Sequence, residues 1–528
     1  MKRVEPVKGV EPVDTPGRAT PAAEAAKAGS RRRAGSSRSD GADSAGGAGG
    51  PHDRYVHPLT ERYASAPMQE IFSPARKFGT WRRLWVALAE AQAELGLDIT
   101  AEALEQMRAA VDLLDLERAA EYERRFRHDV MAHVHLFGDD APAARGVIHL
   151  GATSAFVGDN TDLILHRAAL GLVRARVARC VRALAAFARE HAGVPTLAYT
   201  HFQPAQPTTV GKRTTLWIQD LLLDLEELEH RMERLRFRGV RGTTGSQASF
   251  LELFGGDHDK VDRLDAAVRE AMGFEAAYPV SGQTYPRKVD FAVQATLAGV
   301  AASASKIGHD LRLLAHLREV EEPFEDEQIG SSAMPYKRNP MRSERICALA
   351  RHVIVLLQDP AFTAATQWLE RTLDDSANRR LSIPDAFLTL DGCLVLLENV
   401  ASGLRVNPGV VRRNLAEHLP FMATETILMH AASRGGDRQA LHERLRRHSL
   451  AAAARMNEEG TDADLLERIA EDAAFGLTRE ELAGLVDPER FIGRAPQQVA
   501  RFLDDHVRPV LEGLAETSRA LGDADLHV

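Results

Sequence analysis

Residues 162–192, DLILHRAALGLVRARVARCVRALAAFAREHA, decide the fold. Along them Leu163, His166, Leu170, Val173, Val177, Cys180, Leu184 and Phe187 recur in alternating steps of three and four. That period places all of them on one stripe of an α-helix, roughly 45 Å long at 1.5 Å per residue. Gly193 and Pro195 mark its end. The pattern returns twice. Ile218, Leu221, Leu225, Leu228, Met232 and Leu235 precede Gly239, and Val293, Leu297, Val300, Ala304, Ile307, Leu311 and Leu314 precede Pro323. A 3-4 alternation is the seam of helices crossing near +20°, so these stretches predict a bundle. Seams this long exceed what one chain easily covers, and a homo-oligomeric bundle is expected.

The remaining sequence surrounds that bundle with shorter helices. Trp81, Leu84, Trp85 and Leu88 mark an apolar helical face that stops at Gly96. A second helix opens at Thr100, and a third is expected over Asp115 to Phe137. Convincing strands are absent from this reading, and the low 6% aromatic content favours helix over sheet. The expected organisation is a disordered tail over 1–52, an N-terminal helical domain over 53–153, a central long-helix bundle over 154–406 and a C-terminal helical domain over 407–528. The tail is rich in Ala, Gly, Ser, Pro and Arg and too poor in apolar residues to offset its ordering entropy.

Composition excludes several classes. At 44% apolar and 27% charged the chain is ordinary for a soluble globular protein, and its net charge of -9 argues against a general nucleic-acid binder. Cys180, Cys347 and Cys393 are few and far apart, against a disulfide framework or a zinc cluster. No apolar run approaches the roughly 20 residues that span a bilayer. No signal peptide is legible, so the cytoplasm is the expected location.

Candidate chemistry lies in the polar loops. Gly330-Ser-Ser-Ala-Met-Pro-Tyr-Lys-Arg-Asn-Pro340 offers hydroxyls, cations and an amide on a backbone shaped by glycine and proline. Asn339 is the expected N-cap and Pro340 the first residue of the next helix, whose positive end would favour an anion. Thr200-His-Phe-Gln-Pro-Ala-Gln206 places a histidine, the usual acid–base group near neutral pH, among amides in a proline-rich turn. Arg371, Ser376 and Arg380 suit a phosphate. Gly242-Thr-Thr-Gly245 and Gly151-Ala-Thr-Ser154 lack the preceding strand of a nucleotide loop. His128, His133 and His135 lack metal-ligand spacing, so no metal is expected there.

The Gly330–Pro340 stretch is similar to the signature of the fumarase/aspartase superfamily of fumarate-releasing lyases. Within it, Arg127-His-Asp-Val-Met-Ala-His-Val-His135, Gly151-Ala-Thr-Ser154 with Gly158-Asp-Asn-Thr-Asp162, Thr200–Gln206 and Glu370-Arg-Thr-Leu-Asp-Asp-Ser376 resemble the adenylosuccinate lyase family, particularly its animal-type form. The resemblance runs from about Tyr55 to Leu511. It implies an all-α, three-domain fold whose central bundle assembles with other chains. It also implies β-elimination of fumarate from adenylosuccinate, giving AMP, and from SAICAR, giving AICAR, with no cofactor.

By matching positions, the resemblance makes Ser331 the general base and His201 the general acid. Arg62, Tyr63, Arg127, His128, Asp129, Thr153, Ser154, Gln283, Lys337, Asn339, Arg345, Arg371, Ser376 and Arg380 fall at its substrate site. The family implies a homotetramer with sites shared among three subunits. Argininosuccinate is the rival substrate, and it carries no phosphate for the arginines to hold. A catalytically silent lyase-fold scaffold is the rival of another class, and retention of Ser331, Lys337, Asn339 and His201 together argues against it.

Overall fold

The computed structural model of the chain describes residues 53–325 and 327–521; the N-terminal tail reading falls outside them. Five long helices form the core of the compact unit Val56–Val528. They are Ser154–Glu190, Val210–Arg234, Lys288–His316, Met341–Leu356 and Asp375–Gly403. The Ser154 helix packs on the Val210 and Asp375 helices, while the Lys288 helix packs on the other three. The three seams foreseen in the sequence lie inside: Leu163, Leu170, Val173, Val177, Cys180 and Leu184 are fully buried, as are Ile218, Leu221, Val293, Leu297 and Ile307. The Asp375 helix escapes a periodicity reading because apolar residues surround it. Ile383, Phe387, Leu390, Leu394, Leu397 and Val400 are buried, and so are Ala386, Cys393 and Leu396 on other faces.

Shorter helices of the N-terminal segment share this core through Trp81, Trp85 and Phe137, whereas Ile427, Leu441, Leu465, Phe475 and Leu482 form a separate core in the C-terminal segment. Two helices, Leu116–Phe126 and Asp129–Asp140, replace the single one expected over Asp115 to Phe137. Arg127 adopts a left-handed φ of 55° and ends the first, and His128 caps the second by accepting the Met131 amide through Nδ1 at 3.3 Å. Local propensity carried the helical reading through this point, and the capping chemistry broke it.

Strands also occur. Pro195–Thr200 and Gln203–Thr209 pair antiparallel, with Thr200 opposite Gln203, and Val320–Glu321 pairs with Arg405–Val406. Pro204 and Pro207, expected in a proline-rich turn, lie within the second strand. A two-stranded ribbon has two free edges, so a proline's missing N–H costs it little. Met341–Ala365 covers two successive helices, and its most apolar 18 residues reach a mean hydropathy of 1.2. Within the bundle its Ile346, Cys347, Ala350 and Val353 are buried against neighbouring helices.

Helix direction gives the bundle two distinct ends. The Ser154, Lys288 and Asp375 helices start at one end and finish at the other, where the hairpin and the loop to Met341 are attached. Thr196 Oγ1 in the hairpin donates to Glu319 Oε2 at 3.2 Å, fixing both segments to that second end.

Candidate active site

At the Ser154 end, four helix N-termini converge. Ser154 Oγ lies 3.4 Å from His128 Nε2, directly before the Asp129 helix. Arg380 in the Asp375 helix donates through Nη2 to Asp129 Oδ2 at 2.9 Å. Arg287, immediately before the Lys288 helix, binds Asp159 of the Ser154 helix and Asp375 of the Asp375 helix. Each helix start carries a partial positive charge, and Arg371, Arg380 and Lys77 add whole ones, so this end is built to receive an anion. Thr153 makes no capping bond with its side chain, which leaves the hydroxyl for another partner.

The loops are closely fitted around this cluster. Arg371 Nη1 donates to Gln283 Oε1 at 2.7 Å, Gln283 Nε2 donates to the Thr243 carbonyl at 2.9 Å, and the Gln283 amide donates to the Glu370 carbonyl at 3.0 Å. Gly245, at φ 84°, presses so closely on the Ser281 carbonyl that no Cβ would fit. Ser376 stands in the first turn of the Asp375 helix, between Arg371 and Arg380 in sequence.

Two residues of this cluster went unremarked in the sequence. The half-buried Lys77 has its pKa lowered by burial, against the opposing pull of Asp162 and Asp129 and with the help of Arg380. His149, at φ 69°, accepts from Trp85 Nε1 through Nδ1 at 2.9 Å, and burial together with neighbouring His128 pushes its pKa down to about 4. Neither lies in a local pattern that would reveal it; a histidine directly before Leu-Gly-Ala-Thr-Ser154 was the available signal. His133 and His135 take no part. His133 is buried and stacks on Phe78 at 3.9 Å between centroids, and His135 stacks on Phe126 at 4.6 Å.

The opposite end carries the rest. His201 and Phe202 form the hairpin tip with φ values of 54° and 56°, a left-handed pair that usually requires glycine or asparagine. The loop holding Ser331 is pinched at its base, where the Glu322 carboxylate accepts the amides of Arg342 and Ser343 at 2.9 Å each. Inside it, Ser331 Oγ accepts the Met334 amide at 3.2 Å and the Ala333 amide at 3.4 Å, while Ser332 is exposed. Asn339 does not cap the following helix, which starts at Met341. Its Nδ2 donates to the Gly330 carbonyl at 2.9 Å and holds the two ends of the signature together. Lys337 is exposed, and Arg345 follows in the first turns of the Met341 helix.

One chain therefore gathers Arg127, His128, Asp129, Thr153, Ser154, Gln283, Arg371, Ser376 and Arg380 at one end, and His201, Ser331, Lys337, Asn339 and Arg345 at the other. Arg62 and Tyr63 sit midway, with Tyr63 packed on Gly392. The Ser154 helix has 37 residues, about 54 Å from first to last. Even if the chain from His191 to His201 ran straight back at about 3.4 Å per residue, about 20 Å would separate His201 from Ser154.

A bundle of five long helices with a pinched signature loop at one end defines a lyase of the fumarase/aspartase class. The comparisons agree. The family model described as Lyase matches residues 58–355, and the one described as adenylosuccinate lyase C-terminus matches 420–502. Adenylosuccinate lyase of Saccharomyces cerevisiae is 54% identical over 464 residues, covering 87% of this chain and 96% of that protein. The enzyme of Schistosoma mansoni is 50% identical over 461 residues, covering 87% and 96%. Among solved structures, 3-carboxy-cis,cis-muconate lactonizing enzyme from Pseudomonas putida superposes with TM-score 0.74 at 27% identity, covering 86% of this chain and 99% of that one. The chain belongs to the adenylosuccinate lyase family.

Proposed function

We propose that the chain cleaves adenylosuccinate to AMP and fumarate, and SAICAR to AICAR and fumarate, in purine nucleotide biosynthesis. Membership of the adenylosuccinate lyase family supports the reaction, and the cationic end with its four helix N-termini supports a substrate that carries phosphate. Ser331 removes a proton from the carbon beside a carboxylate, the electrons form the new C=C bond, and the C–N bond breaks toward nitrogen. His201 gives that nitrogen its proton. A serine hydroxyl is a weak base in water, and the observation that carries this assignment is the pair of amides aimed at Ser331 Oγ. Those dipoles stabilise the Ser331 alkoxide, which takes the proton and becomes a hydroxyl. Lys337, Asn339, Thr153 and Ser154 are of the type to hold the succinyl carboxylates as charge develops.

The site works only as an assembly. With its two halves at opposite ends of one bundle, His201 of one chain must meet Arg371 and Arg380 of another, and a homotetramer supplies that arrangement. Apolar side chains left exposed support it: Leu216 and Leu223 lie along the Val210 helix, and Trp368, Leu369 and Leu373 lie beside Arg371. Three free buried thiols, Cys180, Cys347 and Cys393, support a reducing compartment such as the cytoplasm. A spectrophotometric assay offering adenylosuccinate and argininosuccinate in parallel tests the reading: turnover of the first alone is expected, and turnover of the second alone would overturn it.

A further inference from the structure

Beneath the cationic end lies a buried ionic knot. Arg287 donates through Nε to Asp375 Oδ2 at 2.6 Å and through Nη1 and Nη2 to the two oxygens of Asp159 at 3.1 Å each. The side chains of Arg287, Asp159 and Asp375 are 2%, 6% and 1% exposed, so the contact is shut off from solvent. A second arginine repeats the design one turn later. Arg379 donates through Nε to Asp290 Oδ2 at 2.7 Å and through Nη2 to Asp162 Oδ2 at 2.8 Å. Burial alone would raise the Asp290 carboxyl, but Arg379, His166 and Arg287 outweigh it and hold its pKa well below the usual range.

The partners of Arg287 are informative. Asp375 immediately precedes Ser376 and lies five residues before Arg380. Asp159 lies five residues beyond Ser154. Arg287 itself follows Gln283 by four residues. One guanidinium therefore joins the three segments that present the anion-binding groups. A planar fork can bridge two carboxylates in this way, and an ammonium cannot. A knot used only for stability would be replaceable by well-packed apolar residues at little cost. Here the connection also sets the separation between Ser154 and the Ser376–Arg380 turn.

We propose that Arg287 is a positioning residue for the nucleotide end of the substrate, registering the Asp375 helix, with Ser376 and Arg380, against the Ser154 helix through Asp375 and Asp159. The inference rests on the lyase reading above. Asp375→Asn removes the charge from the arm to the phosphate-suited helix and weakens it, while leaving Arg287 paired with Asp159. It should weaken product inhibition by AMP about tenfold and leave inhibition by fumarate within about twofold, with KM raised more than kcat is lowered. Wild-type protein assayed in parallel separates the two claims, because a failure to cleave adenylosuccinate at all removes the lyase reading rather than this one. Where Asp375→Asn does not assemble, Arg287→Lys, which keeps the charge but not the fork, is read in the same way. Unchanged AMP inhibition, or AMP and fumarate weakening in parallel, overturns the proposal.

Discussion

Mixing two inactive variants gives the sharpest test of a site built across chains. His201→Ala removes a group from one end of the bundle, and Arg371→Ala removes one from the other end of the same chain, where Ser154 lies at least about 20 Å from His201. Each variant alone should lose at least about a hundredfold in turnover, since a positioned acid and a phosphate clamp each contribute on that scale. Unfolded together and refolded in equal amounts, the two chains assort at random. If each site draws His201 from one chain and Arg371 from another, about one site in four contains neither change. Activity of the mixture should therefore rise to about a quarter of wild type, far above either parent. The same procedure applied to Arg371→Ala with Arg380→Ala should recover nothing, because both groups come from the same end of the same chain. Loss of adenylosuccinate absorbance follows each mixture. No recovery by the first pair at any ratio, or equal recovery by the second, would refute the shared-site argument.

Ser331→Ala should lower kcat at least about a hundredfold while Ser332→Ala keeps most activity, because only Ser331 Oγ accepts the two loop amides; steady-state rates of the two variants decide it. Gly211 lies where the Val210 helix meets the end of the Ser154 helix, and a Cβ there would press on the Ala188 carbonyl and lie 2.7 Å from Ala192 Cα. Gly211→Ala should cost about 1–3 kcal/mol or more, read from the shift in urea midpoint. Burial, helped by Arg82, pushes the His133 pKa down to about 4, below its ordinary value near 6.5. The unfolded chain then binds more protons than the folded one between those values, so stability is lost as pH falls through that window, by about 2 kcal/mol at pH 5 from this group. His133→Phe should flatten the dependence of the urea midpoint on pH between 7 and 5, and an unchanged slope would exclude His133 as its source.

Local pattern carried the sequence reading a long way. Period 3.6 is a property of consecutive residues, so the three seams through Leu163, Ile218 and Val293 were legible without any knowledge of their neighbours. The signature Gly330–Pro340 was legible because its chemistry is contiguous. Other features depended on partners distant in sequence. The hairpin around His201 was hidden because its prolines are tolerated only once two free-edged strands pair, and the break at Arg127 because one left-handed residue and a capping ring outweigh helical propensity. Asn339 read as a cap, yet its amide spans the loop to Gly330, a contact set by tertiary folding.

The sequence by itself determined that the chain is helical and that it forms a bundle, and through its motifs it pointed to Ser331, His201 and the arginines as candidates for the chemistry. Only the tertiary structure decided that these groups lie at opposite ends of one chain, that Lys77 and His149 join the cationic end, and that Arg287 ties its helices together. The physical reason is that periodicity and motif record what each residue is and which way it faces. Which helix ends meet is fixed by the packing of segments more than a hundred residues apart.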